Sequence, residues 1–373
     1  MASSKTERPA TWPVTGPMRA APATRPVRRR SPRWWLVLAA RVALVAIVLI
    51  VVASSTVLWR LGATVTDFSG AHFNLGQNAV WLEHTWAGDD HSDADYDALA
   101  DRLEAEQIRY VYAHVGPLES DGTIPPDRAP FAQQLATALH TRLPGIEVLA
   151  WIGQVEIAGG YPADESIDLS YSSVREQIAE TAGHFARDLG FDGVHYDIEP
   201  ITNNNAHFLD LLDVTRSLLP AGSILSISAQ KWAPNAHVAD WLRSEGKADA
   251  WWTTYYYTQV ASHCDQIVSI LYNTAMPTAG LYQLYVKQAT QHILDAARAA
   301  PNKPQVLIGV PTYSGNSFWF HDTSENMKTG LEGVREGLNS DRNTSLFTGV
   351  AIYRLGTTTD ASWQTYDSAW LGK

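Results

Sequence analysis

Three ionisable side chains stand at alternate positions near the middle of the chain: His195, Asp197 and Glu199. In an extended strand alternate side chains point to the same face, so these three would share a face that packing alone does not select. Two carboxyl groups this close raise the pKa of one of them, which keeps an acid protonated near neutral pH. The spacing predicts acid–base chemistry, with Glu199 as the proton donor and Asp197 as the orienting, charge-stabilising group.

An isolated Asp-x-Glu pair is more often explained by helix capping or by an ion pair with a nearby arginine than by catalysis. The elements around the pair therefore have to decide between chemistry and packing. Short apolar runs typical of strands lie near 79–84, 108–115, 146–152, 192–199, 223–229, 266–273, 304–310 and 347–354. Segments typical of helices lie between them, near 95–106, 130–143, 173–189, 206–219, 236–246, 281–299 and 324–339, with a last one at 361–370.

Eight strands that alternate with eight helices predict an α/β fold, a (β/α)8 TIM barrel over residues 78–373. A doubly wound open sheet is the alternative, because periodicity does not separate closed from open parallel sheets. In a barrel, catalytic groups lie at the carboxyl ends of the strands. Glu199 ends the fourth predicted strand, immediately before Pro200, so its position agrees with its chemistry.

The segment from Leu189 to Pro200 resembles the active-site strand of family-18 glycoside hydrolases, the chitinase-like enzymes. Their pattern, Asp-Gly-x-Asp-x-Asp-x-Glu on the fourth strand of a (β/α)8 barrel, is matched by Asp192, Gly193, Asp197 and Glu199. Three later segments are similar to the family's sixth, seventh and eighth strands, namely Ile270-Leu271-Tyr272-Asn273, Gly309-Val310-Pro311-Thr312-Tyr313 and Gly349-Val350-Ala351-Ile352-Tyr353. The resemblance covers about residues 78–360.

The resemblance implies a substrate-assisted, retaining hydrolysis in which the sugar's own N-acetyl group is the nucleophile. Glu199 would be the general acid/base, while Asp197 and Tyr272 would hold the N-acetyl group. His195, Asp192 and Asn273 would support them. The implied substrate is a polysaccharide or oligosaccharide with β-linked N-acetylhexosamine units.

Three departures from the family pattern fall at the predicted site. His195 replaces the family's middle Asp, which normally shares a proton with the residue at Asp197. A neutral imidazole could still hydrogen-bond Asp197, whereas a protonated one would hold it ionised. Trp151 begins the segment that replaces the family's Ser-x-Gly-Gly, and Tyr353 replaces its eighth-strand Trp. We expect the pH optimum to differ from that of relatives with the Asp.

Further side chains near strand ends are candidates for sugar binding: Trp151, Gln230, Tyr313, Trp319 and Tyr353. Each aromatic residue is also explained as barrel core, and Gln230 as part of a solvated loop. The aromatic run 251–257 is either a groove wall or a packed insertion. The acidic loop with His84 and His91 has no recognised metal-ligand spacing, so neither a metal nor a cofactor is expected.

Charge is distributed unevenly along the chain. Residues 1–41 carry a net charge of +8 and the remainder carries −19, which argues against a nucleic-acid partner. Eighteen uncharged residues follow, 42–59, flanked by tryptophans and preceded by arginines. We expect a disordered basic cytoplasmic segment at 1–33, a transmembrane signal-anchor helix at 34–59 and a linker at 60–77. The barrel would then lie outside the cytoplasm, tethered to the cell membrane, or secreted after cleavage near 53–55.

Two classes of function therefore remain after the sequence has been read. The first is a membrane-anchored glycosidase, and the second is a non-catalytic, lectin-like glycan-binding barrel of the same fold. Both Asp197 and Glu199 are present, which favours the enzyme, although a fold alone does not establish an activity.

Overall fold

The computed structural model describes residues 33–62, 73–245, 250–312, 314–317, 320–341 and 343–373. Predictions for residues 1–32, for most of the 60–77 linker, and for Tyr313 and Trp319 lie outside the described residues.

The N-terminal described segment is one thirty-residue helix, α1 (Arg33–Gly62). Between residues 38 and 52 its large apolar side chains are exposed, with Ile50 at 64%. Within the described residues, no helix has the combination of length and apolar character that a membrane crossing requires. The helix expected at 34–59 is present within α1.

Eight parallel strands form a closed barrel in the order β1, β10, β9, β8, β5, β4, β3, β2. They are β1 (Asn78–Leu82), β2 (Ile108–Pro117), β3 (Glu147–Val155), β4 (Gly193–Glu199), β5 (Ile224–Ala229), β8 (Gln266–Ile270), β9 (Gln305–Pro311) and β10 (Phe347–Tyr353). Pairing of β1 with β10 closes the sheet, with Ala79 opposite Ala351 and Val80 opposite Ile352. The (β/α)8 barrel is confirmed, and the open sheet is excluded.

Helices follow the strands in the expected alternation. They are α2 (Thr85–Gly88), α3 (Asp93–Ala105), α4 (Ala132–Arg142), α5 (Ser172–Asp188), α6 (Ala206–Leu218), α7 (Ala236–Glu245), α8 (Thr254–Ala261), α9 (Ala279–Ala299), α10 (Met327–Ser340) and α11 (Asp360–Tyr366). Ser92 caps α3 and Asn326 caps α10, each with a reciprocal capping box. Three of the described helices, α1 (Arg33–Gly62), α2 and α8, lie outside the eight predicted barrel helices.

An insertion between β5 and β8 holds α7, α8 and two short strands, β6 (Lys231–Ala233) and β7 (Trp251–Thr253), which pair in parallel. The aromatic run 251–257 belongs to this insertion. Trp252, Tyr256 and Tyr257 are fully buried, so the run is mainly a packed insertion; Tyr255 is exposed.

The barrel has two separate apolar regions. One lies between strands and helices and includes Val194, Tyr196 and Ile198 of β4. The other fills the barrel interior and contains Ala79, Trp81, Tyr110, Tyr112, Leu149, Trp151, Val268, Leu307 and Ala351. Alternation along β4 therefore sends its apolar residues outward and His195 into the barrel, as the sequence pattern predicts.

Asp192, the first acid of the family-like motif, precedes β4 at the amino-terminal end of the barrel. Its Oδ2 accepts hydrogen bonds from the backbone N–H of Val148 and from His140 Nε2, both at 2.7 Å. The residue lies at the opposite end of the strand from Glu199. Its expected support of the site therefore acts through strand alignment, because it holds the start of β3 against β4.

Replacement of Asp192 by Ala should lower the free energy of unfolding by about 1–3 kcal/mol, because the buried Val148 N–H loses its acceptor. Urea unfolding followed by tryptophan fluorescence measures this change. Asp213→Ala, which removes an exposed partner of His263, is the control and should change stability by at most about 0.5 kcal/mol. Equal effects of the two variants would contradict the role given to Asp192.

Candidate active site

The carboxyl ends of the strands bring together several of the predicted site residues that are described. Asp197 and Glu199 come from β4 and Tyr353 from β10, while Gln230 directly follows β5. Trp151 lies in the middle of β3, in register with His195. In register, β3 places Gly153 beside Asp197 and Val155 beside Glu199. The site is therefore built on rigid strand ends, with the two carboxylates on one side of the barrel mouth.

Asp197 is held through one of its two carboxylate oxygens. Trp151 Nε1 donates to Oδ2 at 2.9 Å, and the Ser228 hydroxyl also hydrogen-bonds the carboxylate. Oδ1 is buried and has no hydrogen-bond partner among the described residues. Burial raises the pKa of Asp197, while the hydrogen bonds from Ser228 and Trp151 lower it. The carboxylate thus has one satisfied oxygen and one that lacks a donor.

Glu199 lies one pleat further toward the mouth and is half-buried. Gln230 Nε2 donates to its Oε1 at 3.2 Å. Its backbone carbonyl accepts the N–H of Glu156 at 2.8 Å, which extends the pairing of β3 with β4 to the end of the strand. Gln230 was expected to contact sugar; the structure places it against the predicted proton donor.

Tyr353 and Tyr272 form a stacked pair on the side of the mouth across from β4. Their ring centroids lie 5.1 Å apart with an interplanar angle of 28°. Burial, with the charges of Asp197 and Glu199, raises the pKa of Tyr353 to about 12, and Arg354 opposes this. The Tyr353 hydroxyl therefore stays protonated and lies within the field of both carboxylates.

Glycine at position 309 of β9 makes room for this pair. A Cβ there would lie 2.9 Å from the Ser269 carbonyl oxygen, 3.2 Å from Tyr272 and 3.6 Å from Trp81. The packing around Tyr272 therefore leaves no room for a side chain at this position of the Gly-x-Pro-x-Tyr segment.

His195 is fully buried in the barrel interior beneath Asp197. Trp81 Nε1 donates to its Nε2 at 3.1 Å, and its Nδ1 lies 2.8 Å from Ser226 Oγ. An indole N–H can only donate, so Nε2 is the accepting nitrogen and Nδ1 carries the hydrogen. The ring also stacks on Tyr112, with centroids 3.9 Å apart. Burial lowers the pKa of His195 well below its ordinary value, so the imidazole is neutral.

The hydrogen bonds of His195 continue across the barrel. Ser226 Oγ donates to Gln266 Oε1 at 2.8 Å, and Tyr112 donates to the same oxygen at 2.7 Å. Gln266 Nε2 in turn donates to Gln305 at 3.1 Å. A buried polar network of this kind is stable only when its members are paired, as these are.

Ser228 lies between His195 and Asp197. Its Oγ is 3.0 Å from His195 Nε2 and also hydrogen-bonds the Asp197 carboxylate. Of the two states left open for His195, the structure favours the neutral one. The imidazole carries no positive charge that would hold the carboxylate ionised. Because Nε2 and the carboxylate both accept and Ser228 has a single hydrogen, no hydrogen-bond chain through this hydroxyl links the imidazole to Asp197.

Sequence reasoning did not identify Glu325, a fully buried carboxylate in the segment before α10. Its Oε1 accepts from Thr274 Oγ1 at 2.5 Å, from Thr274 N at 2.9 Å and from Met276 N at 3.2 Å. These donors follow Tyr272 directly, in a loop where Asn273 has a left-handed φ of 56°. Glu325 thus fixes the loop that carries Tyr272, and no local sequence signal pointed to it.

Two histidines occupy the mouth beside Trp151. His114 of β2 packs on the Trp151 ring, with centroids 4.5 Å apart. His84 Nδ1 donates to the His114 backbone carbonyl at 3.2 Å. Burial, with the neighbouring His84 and Arg354, lowers the pKa of His114 to about 4. His114 is therefore neutral at physiological pH and serves as a packing surface for Trp151.

Trp151 was expected to contact sugar with an open ring face. It is only 8% exposed, and its indole N–H is directed at Asp197. Ser226 and Ser228 were missed, although their alternation along β5 with Leu225 and Ile227 is a signal for a polar interior face. Within the described residues, no group of three or more His, Cys, Asp or Glu side chains is arranged to hold a metal ion.

The barrel resembles several solved structures at low sequence identity. The spore cortex-lytic enzyme SleL of Bacillus cereus matches with a TM-score of 0.53 and 12% identity over 81% of this chain and 75% of that chain. A class V chitinase of Pseudomonas fluorescens matches with a TM-score of 0.52 and 13% identity over 79% and 99%. A mutant of a plant class V chitinase of Cycas revoluta, solved with (GlcNAc)3, matches with a TM-score of 0.53 and 14% identity over 79% and 99%.

This likeness establishes a shared fold between the chain and these glycosidases. No family model matches the sequence, and no curated protein matches it as a relative. The chain thus shares its (β/α)8 barrel fold with these proteins and carries two carboxylates at the barrel mouth.

Proposed function

We propose that the chain is a glycoside hydrolase that cleaves glycans containing β-linked N-acetylhexosamine, with retention of configuration. The single observation that carries the proposal is the Asp197 carboxylate. Its Oδ2 is held by Trp151, its Oδ1 is buried without a donor in the described part of the chain, and Glu199 stands beside it at the mouth.

A ligand that brings an N–H group to Asp197 Oδ1 would satisfy that oxygen. The 2-acetamido group of an N-acetylhexosamine provides such an N–H next to the reacting anomeric carbon. Its carbonyl oxygen can attack that carbon, so the protein needs to supply only one acid/base. The site, with one carboxyl toward the mouth and one deeper carboxylate, matches this division of tasks.

In the first step Glu199 would donate its proton to the glycosidic oxygen as the bond to the anomeric carbon breaks. The acetamido oxygen forms the new bond to that carbon and gives a cyclic, positively charged intermediate. Asp197 accepts the acetamido N–H and stabilises this charge. Tyr272, held by its loop and stacked on Tyr353, is assigned to the acetamido oxygen.

In the second step the Glu199 carboxylate would take a proton from water while the water oxygen attacks the anomeric carbon. The cyclic intermediate opens, the acetamido group is restored and Glu199 is protonated again. Two displacements at the same carbon retain its configuration. Gln230, which donates to Glu199 Oε1, orients the carboxyl group for both transfers.

The structural neighbours support this substrate class without establishing it. One is described as a spore cortex-lytic enzyme, and another was solved with a trimer of N-acetylglucosamine. A lectin-like barrel would also use Asp197 to hold an acetamido group, but it would not need Glu199 and its Gln230 partner at the mouth. The positioned acid favours turnover.

Glu199→Gln should lower kcat on labelled N-acetylhexosamine oligomers at least about 100-fold and leave oligomer binding in place, because general acid catalysis is lost. Asp197→Asn should lower kcat by about 100- to 1,000-fold, because the developing positive charge loses the carboxylate that stabilises it. Initial rates measure kcat of the two variants, and calorimetry measures their binding of the oligomers. Glu176→Gln, exposed on α5, is the matched control, and binding without turnover by the parent protein would establish the lectin-like alternative.

His195→Asp should shift the acid limb of the rate–pH profile to higher pH. A second carboxyl near Asp197 disfavours ionisation of Asp197, and hence raises its pKa, whereas the neutral imidazole of the parent does not. Profiles of kcat against pH for the two proteins test this, with His237→Asp, an equal charge change on exposed α7, as the control. Superimposable profiles for His195→Asp and the parent would refute it.

We further propose that residues 34–59 anchor the chain in the cell membrane, with the barrel outside the cytoplasm. The uncharged run at 42–59, the preceding arginines and the exposed apolar side chains between residues 38 and 52 support this. Full-length protein should stay in the membrane pellet after alkaline carbonate extraction. The Val45→Arg/Leu49→Arg double variant should be released, because each buried arginine costs about 2.5–3.5 kcal/mol. A mature N-terminus near residues 53–55 would show secretion after cleavage instead.

A further inference from the structure

The Asp197 carboxylate receives its firmest hydrogen bond from a residue of the neighbouring strand. Trp151 of β3 donates its indole N–H to Oδ2 at 2.9 Å. The indole is itself fixed, because it is only 8% exposed and its ring packs on His114 with centroids 4.5 Å apart. Because the indole is held by the strand and by its packing, its N–H fixes the orientation of the Asp197 carboxylate.

The two carboxylate oxygens are consequently not equivalent. Oδ2 has the indole donor, whereas Oδ1 is buried and has no donor among the described residues. Rotation of the carboxylate by half a turn would exchange the two oxygens, and intermediate angles would break the Trp151 hydrogen bond. The indole N–H cannot accept a proton, so it pairs best with an ionised carboxylate oxygen.

His195 forms no direct hydrogen bond with the Asp197 carboxylate among the described contacts. Its Nε2 accepts the indole N–H of Trp81 and its Nδ1 faces Ser226. Neither nitrogen is left to share a proton with Asp197, and Ser228 lies between the two side chains. Orientation of Asp197 therefore falls to the donors from β3 and β5.

We propose that Trp151 is the positioning residue for Asp197: its indole N–H holds the carboxylate in one orientation that reserves Oδ1 for the ligand. Trp151 thus acts through Asp197 rather than as a sugar-stacking surface. Because the proposal concerns how this site handles the acetamido group, it rests on the proposed function for its kinetic consequence. The locked orientation itself does not depend on turnover.

Trp151→Phe keeps an aromatic ring and removes the N–H. We expect kcat to fall about 10- to 100-fold, since a hydrogen bond to a charged group is lost, while KM changes less than about threefold. The acid limb of the rate–pH profile should move to higher pH, because the Asp197 carboxylate loses a donor that favours its ionised form. Three ionisable side chains face Asp197, namely Glu199, Tyr353 and the neutral His195. All three are unchanged in this variant.

Trp370→Phe is the matched control. Trp370 is 3% exposed and donates its indole N–H at 2.9 Å to Asn78 Oδ1, at the amino-terminal end of β1. Its replacement removes an indole hydrogen bond of the same length, to a neutral amide oxygen, at the other end of the barrel. Similar losses of thermal stability are expected for the two variants, but a shifted acid limb only for Trp151→Phe. Equal kinetic losses with unshifted profiles would reduce Trp151 to a packing role and overturn the proposal.

Crystal structures of the parent protein and of Trp151→Phe provide a readout without substrate. We expect the Asp197 carboxylate to rotate or to occupy two orientations in Trp151→Phe and to keep one orientation in the parent and in Trp370→Phe. An unchanged carboxylate in Trp151→Phe would overturn the locking role even if the parent hydrolyses its glycan. Absence of turnover in the parent, with a rotated carboxylate in the variant, would instead overturn the proposed function alone.

Discussion

A histidine enclosed in a barrel needs a hydrogen-bond partner for each ring nitrogen, since water is excluded there. His195 meets this requirement with Trp81 on one side and Ser226 on the other. Because the Trp81 indole can only donate, it fixes the tautomer of the imidazole and the direction of the hydrogen bonds that continue to Gln266. Burial within this interior network keeps the imidazole neutral beneath the carboxylates of the mouth.

Asp197 and Glu199 have different surroundings, and these suit them to different tasks. Below Asp197 the barrel holds a neutral ring that does not exchange protons with it, so Asp197 depends on Trp151 and Ser228 for its orientation. Above it, Glu199 is paired with Gln230 and lies nearer the solvent. The deeper carboxylate is thereby suited to hold a ligand, and the outer one to move a proton.

Further residues, some of them far from the mouth, also position the side chains of the site. Glu325 accepts hydrogen bonds from Thr274 and Met276 and so holds the loop after Tyr272, which stacks on Tyr353. His114 braces the ring of Trp151. At the other end of the barrel, Asp192 aligns β3 with β4 through Val148. The mouth is positioned by contacts that extend the full length of the strands.

The sequence by itself determined the alternation of strands and helices, because period-two and helical patterns are local, and it located Asp197 and Glu199 at a strand end before Pro200. It could not determine closure, which depends on pairing of β1 with β10 across more than 250 residues of chain. Nor could it find Trp81 as the partner of His195, or Glu325 as the acceptor for the loop after Tyr272, since both are distant in sequence from the groups they bind. Tertiary structure alone decided that Trp151 points its N–H at Asp197, because a side chain's direction follows from what packs around it.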